Sequence, residues 1–242
     1  KNILTNHDIG AIKMEVSRNF KPKNNFLKKI RAICDKNKIV LIFDECTSGF
    51  RQTFGGLHKL YDVQPDIAWF GKALGNGYSI SAIIGKKEVM DYAQDTFMSS
   101  TFWTERIGSV AALETLKEME KLKSWNLITE KGIKIQEKWK KIASENKIKI
   151  NVLGIPALSN FSILSPNWLK YKTFITQEML KKKMLCSNAL FMSTKHDDKT
   201  LDDYLDNLNQ IFSKISKFED KSLDIDKHLE GPVCLSGFQR LN

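Results

Sequence analysis

The sequence predicts an α/β protein, with part of a large parallel-sheet domain in its first half and a smaller C-terminal α/β (α+β) domain behind it. Three features carry this. A strand, a helix and a second strand follow one another between Ala11 and Phe43, the βαβ unit that parallel sheets are built from. Ile39–Phe43 and Ile67–Phe70 are apolar without alternation, as strands covered on both faces are. Beyond residue 122, long basic helices alternate with short strands, a different grammar from the first half.

Ala11-Ile12-Lys13-Met14-Glu15 alternates weakly and reads as the first strand. Pro22 to Lys36 reads as a helix with Phe26, Leu27, Ile30 and Ile33 on one apolar stripe. The Ile39–Phe43 strand runs directly into Asp44-Glu45. After Gly55-Gly56 come a short helix, the turn Gln64-Pro65-Asp66, and the Ile67–Phe70 strand, which runs into Gly71-Lys72. Ser79 to Ile84 reads as a further strand and Lys86 to Ala93 as a short helix. Residues 104–122 form an amphipathic helix with Ile107, Val110, Ala111, Leu113, Leu116 and Met119 near one face. The expected boundary lies near 122, giving domains 1–122 and 123–242. Within the second, helices are expected at 124–146, 173–184 and 199–218, and strands at 148–153 and 159–164.

Composition narrows the function. The net charge of +10 comes from 38 basic and 28 acidic residues, but 33 of the 38 are Lys. Base and phosphate recognition favours the planar Arg fork with interleaved aromatics, so this is read as a solvated lysine-rich surface, with no nucleic acid as partner. No apolar run is long enough to cross a bilayer, so no membrane partner is expected. Cys34, Cys46, Cys186 and Cys234 form no CxxC pair, and His7, His58, His196 and His228 lack metal-ligand spacing. His7-Asp8 looks like a hydrolase dipeptide, but no partner cluster follows, so no metal is expected. Sparse cysteines point to a reducing, cytoplasmic setting. Lys1-Asn2-Ile3-Leu4 reads as the start of a fragment cut on its N-terminal side.

In open parallel sheets ligands bind beyond the carboxyl ends of the strands. Two such ends carry Asp44 and Lys72. A carboxylate at the tip of an apolar strand is costly without a cationic partner. From charge alone, a structural salt bridge between Asp44 and Lys72 and a chemical site stand level.

The surrounding words are more specific. Leu41-Ile42-Phe43-Asp44-Glu45-Cys46-Thr47-Ser48-Gly49-Phe50-Arg51, then Pro65-Asp66, then Gly71-Lys72-Ala73-Leu74-Gly75-Asn76-Gly77 resembles the class III pyridoxal-phosphate-dependent aminotransferases, and most of all their glutamate-1-semialdehyde 2,1-aminomutase branch. The resemblance runs from about Asp8 to Leu116, with weaker echoes to a terminus-like Gly231–Arg240. It implies fold type I and a homodimer with shared active sites. It implies that Lys72 forms the Schiff base with pyridoxal 5'-phosphate and that Asp44 pairs with the pyridine nitrogen, which keeps the ring able to accept electrons. Cys46 stands where relatives have Val and would pack on the ring as an inert thiol. Thr101, in Ser99-Ser100-Thr101-Phe102, matches a threonine that binds phosphate from the neighbouring subunit. Glu15, Glu105 and Arg106 are substrate candidates, though Glu105 reads more readily as an exposed first-turn acid stabilising its helix. Lys13 and Arg18 carry no signal of their own. A phosphate loop and ring-stacking aromatic are expected upstream of Lys1.

The implied activity moves an amino group through pyridoxamine phosphate, from an amino acid donor to a keto or aldehyde acceptor, a keto sugar among the candidates. The alternatives are an aminomutase proper and a non-catalytic binding or assembly protein on the same fold.

Overall fold

The computed structural model describes residues 8–237. His7 and Phe238–Arg240, which entered the sequence arguments, lie outside the described residues. The chain divides into two compact units, Lys1–Leu127 and Ile128–Asn242.

The first unit is built on β1 (Ala11–Met14), α1 (Phe26–Asn37), β2 (Val40–Asp44), β3 (Ile67–Phe70), β4 (Ala82–Gly85), α2 (Lys87–Met90) and α3 (Arg106–Leu122). Helix α1 starts four residues later than Pro22, because Asn24 and Asn25 both adopt left-handed backbone before it. Short 3-10 turns cover Leu57–Tyr61 and Lys72–Leu74. The sheet order is β1-β2-β3-β4. Strands β1, β2 and β3 form the parallel sheet expected, and β4 adds to it antiparallel to β3. The physical reason is length. Only residues 71–81 separate β3 from β4, and a parallel crossover needs about a dozen or more residues; here the chain turns back through Tyr78 N donating to Gly75 O.

Side chains alternate along each strand, so the sheet has two distinct faces. Leu41, Phe43, Ala68 and Phe70 are buried on one. Ile42, Asp44 and Trp69 lie on the other, which is only half-buried. Helix α3 packs differently from its expected apolar stripe. Gly108 and Ala112 are its buried residues, while Ile107, Val110 and Leu113 are exposed. A side chain at Gly108 would run into the Ser79 carbonyl, so the small residue is what lets the helix lie close to the 79–80 segment.

The second unit holds most of α4 (Ser124–Glu145), then β5 (Ile150–Leu153), β6 (Leu158–Ile163), α5 (Trp168–Lys181), β7 (Ala189–Phe191) and α6 (Asp198–Glu219). The strands form an antiparallel sheet, β5-β6-β7. Strand β7 was not expected, and α5 begins five residues before the anticipated start. Trp139, Phe161, Tyr171, Phe174 and Phe212 fill the core, and Trp139 Nε1 donates to Tyr204 OH at 3.0 Å. Gly132 of α4 faces the Pro156 carbonyl with no room for a methyl group. The turn behind it is held by Ser159 Oγ donating to Pro156 O (2.8 Å) and Gln136 Nε2 donating to Ser159 Oγ (2.9 Å), so it cannot retreat freely. Gly132→Ala is expected to lower stability by about 1–3 kcal/mol, the range for overpacking; denaturant unfolding measures it. Among the described residues, no helix is long and apolar enough to cross a membrane.

Candidate active site

Three adjacent parallel strands end in chemistry. Glu15 follows β1, Asp44 closes β2, and Lys72 stands two residues past β3. The sheet thus gathers Glu15, Asp44 and Lys72 at one edge, where open parallel sheets bind ligands.

Asp44 and Lys72 do not pair with each other. Asp44 Oδ2 takes Lys13 Nζ at 3.0 Å, and Oδ1 accepts the Cys46 backbone N–H at 3.2 Å. Burial pushes the Asp44 carboxyl up, but the Lys13 ammonium and Cys46 together outweigh it and hold the group below its ordinary value. The Cys46 thiol is pushed up, by burial first and by Asp44 second, which disfavours its thiolate. Lys72 Nζ donates to Thr47 Oγ1 at 2.8 Å, so a hydroxyl, not a carboxylate, holds the amine. Lys72 itself has φ 45°, in the left-handed region that side chains disfavour. Buried Ala73 and Leu74, and the bonds from Leu74 N to Gly71 O and from Gly75 N to Lys72 O, fix this backbone.

The loop after Asp44 is anchored by its neighbour. Glu45 is fully buried, accepts from His58 N and His58 Nδ1 (both 2.9 Å), and from Ser48 Oγ (2.5 Å). Its carboxyl is raised by burial, yet these bonds together bring it below the ordinary glutamate value. Asp66 works at the opposite ends of the strands. Its carboxylate accepts from Leu41 N and Arg31 (both 2.8 Å) and pairs with Lys86 (2.7 Å), stitching β2, α1 and the end of β4 together. The Pro65-Asp66 part of the motif is thus structural.

The other candidates make contacts of their own. Glu15 meets Arg18 at 3.7 Å. Thr101 is exposed in the turn before α3, and Arg106 opens that helix. Glu105 sits at the N-cap without a side-chain cap bond, and with Ser79, Ser81, Ser100, Trp103 and Ser109 it lines an open cavity of about 520 Å³. Among the described residues, no hydrogen bond or ion pair joins Thr101, Glu105 or Arg106 to Asp44 or Lys72, and no cluster of three His, Cys, Asp or Glu could hold a metal ion. Sequence reasoning missed Lys13 and Thr47. A lone charge inside an apolar strand was the available signal for the first; the second, three residues past Asp44, had none.

The fold is that of the fold type I PLP-dependent transferases. The FumI protein of Sphingopyxis sp. MTA144, solved in its PLP internal aldimine form, shares the fold at a TM-score of 0.80 and 20% identity, covering 90% of this chain and 54% of that one. An omega-transaminase from Sphaerobacter thermophilus matches at 0.73 and 20% identity, covering 86% and 52%. The profile described as Aminotransferase class-III matches residues 15–182, and the chain belongs to that family. A 3-aminobutyryl-CoA aminotransferase from Cloacimonas acidaminovorans is 37% identical over 184 residues, 72% of this chain and 42% of the relative. A glutamate-1-semialdehyde 2,1-aminomutase from Sulfurihydrogenibium sp. is 28% identical over 212 residues, 81% and 50%. The chain spans about half the length of the curated relatives it matches.

Proposed function

We propose that this chain carries the cofactor lysine and ring-nitrogen acid of a pyridoxal-phosphate-dependent aminotransferase. The observation that supports it best is the placement of Asp44 and Lys72 on adjacent parallel strand ends, with Lys72 held by a hydroxyl and left unpaired with Asp44. The residues fit the group. Asp44, ionised by its partners, suits a protonated ring nitrogen; the Lys72 amine suits the aldehyde; and the Cys46 thiol suits close packing against the ring. When bound, the cofactor supplies an electron sink for the bonds at the substrate's amino-bearing carbon. Lys72 moves the proton at that carbon, Thr47 holds its amine, and Asp44 keeps the ring nitrogen charged.

The substrates follow the same reading: an amino acid donor and a keto or aldehyde acceptor, a keto sugar among them. Aminomutase chemistry is the second reading, favoured by the aminomutases among the relatives. Phe102, Trp103, Ile107, Val110 and Leu113 are all more than half exposed, and they lie in sequence beside Thr101. This supports a homodimer in which Thr101 reaches the partner's cofactor phosphate and the substrate-facing candidates Glu15, Glu105 and Arg106 complete a shared site. We place the enzyme in the cytoplasm.

The test is spectroscopic. The protein purified with pyridoxal phosphate is expected to show the visible band of lysine-bound cofactor, bleached by an amino donor. Borohydride reduction followed by peptide mass mapping should place the cofactor on Lys72; a label on another lysine overturns the assignment. Turnover that needs no added donor would favour the mutase reading.

A further inference from the structure

Lys13 is a charge in the middle of a strand whose other members, Ala11, Ile12 and Met14, are apolar. The parallel register sets Lys13 opposite Ile42, whose side chain shares a face with Asp44 two residues on. On the far side, Asp44 stands directly opposite Trp69 of β3. The Lys13 ammonium reaches Asp44 Oδ2 at 3.0 Å while lying 4.3 Å from the centre of the Trp69 ring. Three neighbouring strands thus contribute one residue each to a cation–carboxylate–aromatic cluster. A half-exposed lysine has many rotamers, and two partners are needed to select one.

We propose that Lys13 is a positioning residue that orients the Asp44 carboxylate and shares its charge, and thereby sets how strongly Asp44 holds the cofactor's ring nitrogen in its protonated form. This rests on the reading of Asp44 as the partner of that nitrogen. A carboxylate stabilises a protonated ring through its negative charge, and a second cation on the same carboxylate takes part of that charge away. The groups about Asp44 are Lys13 from β1, Cys46 from the following loop and, beyond the thiol, Lys72 after β3. Lys13 is the one that touches the carboxylate with a full charge. Arginine can make both of its contacts, bidentate to the acid and stacked on the indole; methionine keeps the bulk and loses the charge.

The experiment compares the native protein with Lys13→Met and Lys13→Arg, using carboxyl-labelled aspartate and an Asp44→Asn variant to assign the Asp44 resonance. In cofactor-free protein, the Asp44 titration is expected to move to higher pH in Lys13→Met and to stay near the native position in Lys13→Arg. With nitrogen-labelled cofactor bound, the ring nitrogen is expected to stay protonated to higher pH in Lys13→Met. An Asp44 titration that does not move in Lys13→Met overturns the proposal, as does a change confined to the unfolding midpoint. A native protein that binds no cofactor overturns the reading of the site and the ring half of this proposal, whereas the carboxyl titration still reports on Lys13 alone.

Discussion

Replacing Lys72 by alanine is expected to abolish the visible band of the bound cofactor and to lower turnover by at least about 10²–10⁴-fold, the usual loss with a positioned general acid–base. The nearest described lysine of the Asp44 cluster is not free to substitute. Lys13 Nζ is held by Asp44 and Trp69, on the sheet face beside the carboxylate. The fold should survive, because the Lys72 side chain is exposed while the turn's anchors, Ala73 and Leu74, are untouched. Alanine keeps the same left-handed strain as lysine, so the unfolding midpoint is expected to stay within the small range of surface substitutions. Absorbance, turnover and thermal unfolding on one preparation check all three. A retained band would show that Lys72 is not the cofactor lysine.

Much of the sheet behind this candidate site was legible in the sequence, for a physical reason. Ile39–Phe43 and Ile67–Phe70 stand out as unbroken apolar runs, and the charges that end them stand out with them, although each strand fully buries only one face where the two-face burial expected would have covered both. Contacts between strands were hidden. That Lys13 meets Asp44 depends on the β1–β2 register, which no local pattern encodes. The same limit hid the Glu45–His58 pair, thirteen residues apart and joined by a loop of irregular backbone. The direction of β4 was decided by the length of the connection rather than by the strand itself. For α3, the large apolar stripe was visible, but close approach through Gly108 and Ala112 won over it. The exposed stripe then bears on the proposed homodimer, since it lies in sequence beside Thr101, which the family resemblance implies binds a neighbouring subunit's phosphate.

The loop that carries Cys46 and Thr47 depends on a buried charge, and removing that charge should be costly. Glu45→Ala is expected to lower the unfolding free energy by about 3–5 kcal/mol, the range for deleting one partner of a buried pair. The loss arises because His58 N, His58 Nδ1 and Ser48 Oγ all lose their acceptor inside the fold. Glu45→Gln keeps an acceptor oxygen and should cost less. The pH dependence separates charge from shape. Burial raises the Glu45 carboxyl, but the bonds from His58 and Ser48 outweigh it, so its value in the folded protein is below the ordinary 4.5. A depressed carboxyl contributes stability that is fully present above about pH 4.5 and is lost as the pH falls through the lower folded value. The native protein should therefore lose stability in that acid window, and Glu45→Gln should lack this part of the slope. Denaturant unfolding at a series of pH values measures it, and parallel curves for the two proteins would show that folding does not depress the Glu45 carboxyl. Because Thr47 rides on this loop and holds the Lys72 amine, Glu45→Ala should also weaken cofactor retention under conditions where the protein is still folded. The buried acid and the exposed lysine thus form one mechanical unit, in which Glu45 keeps the loop in place and the loop keeps Lys72 aimed.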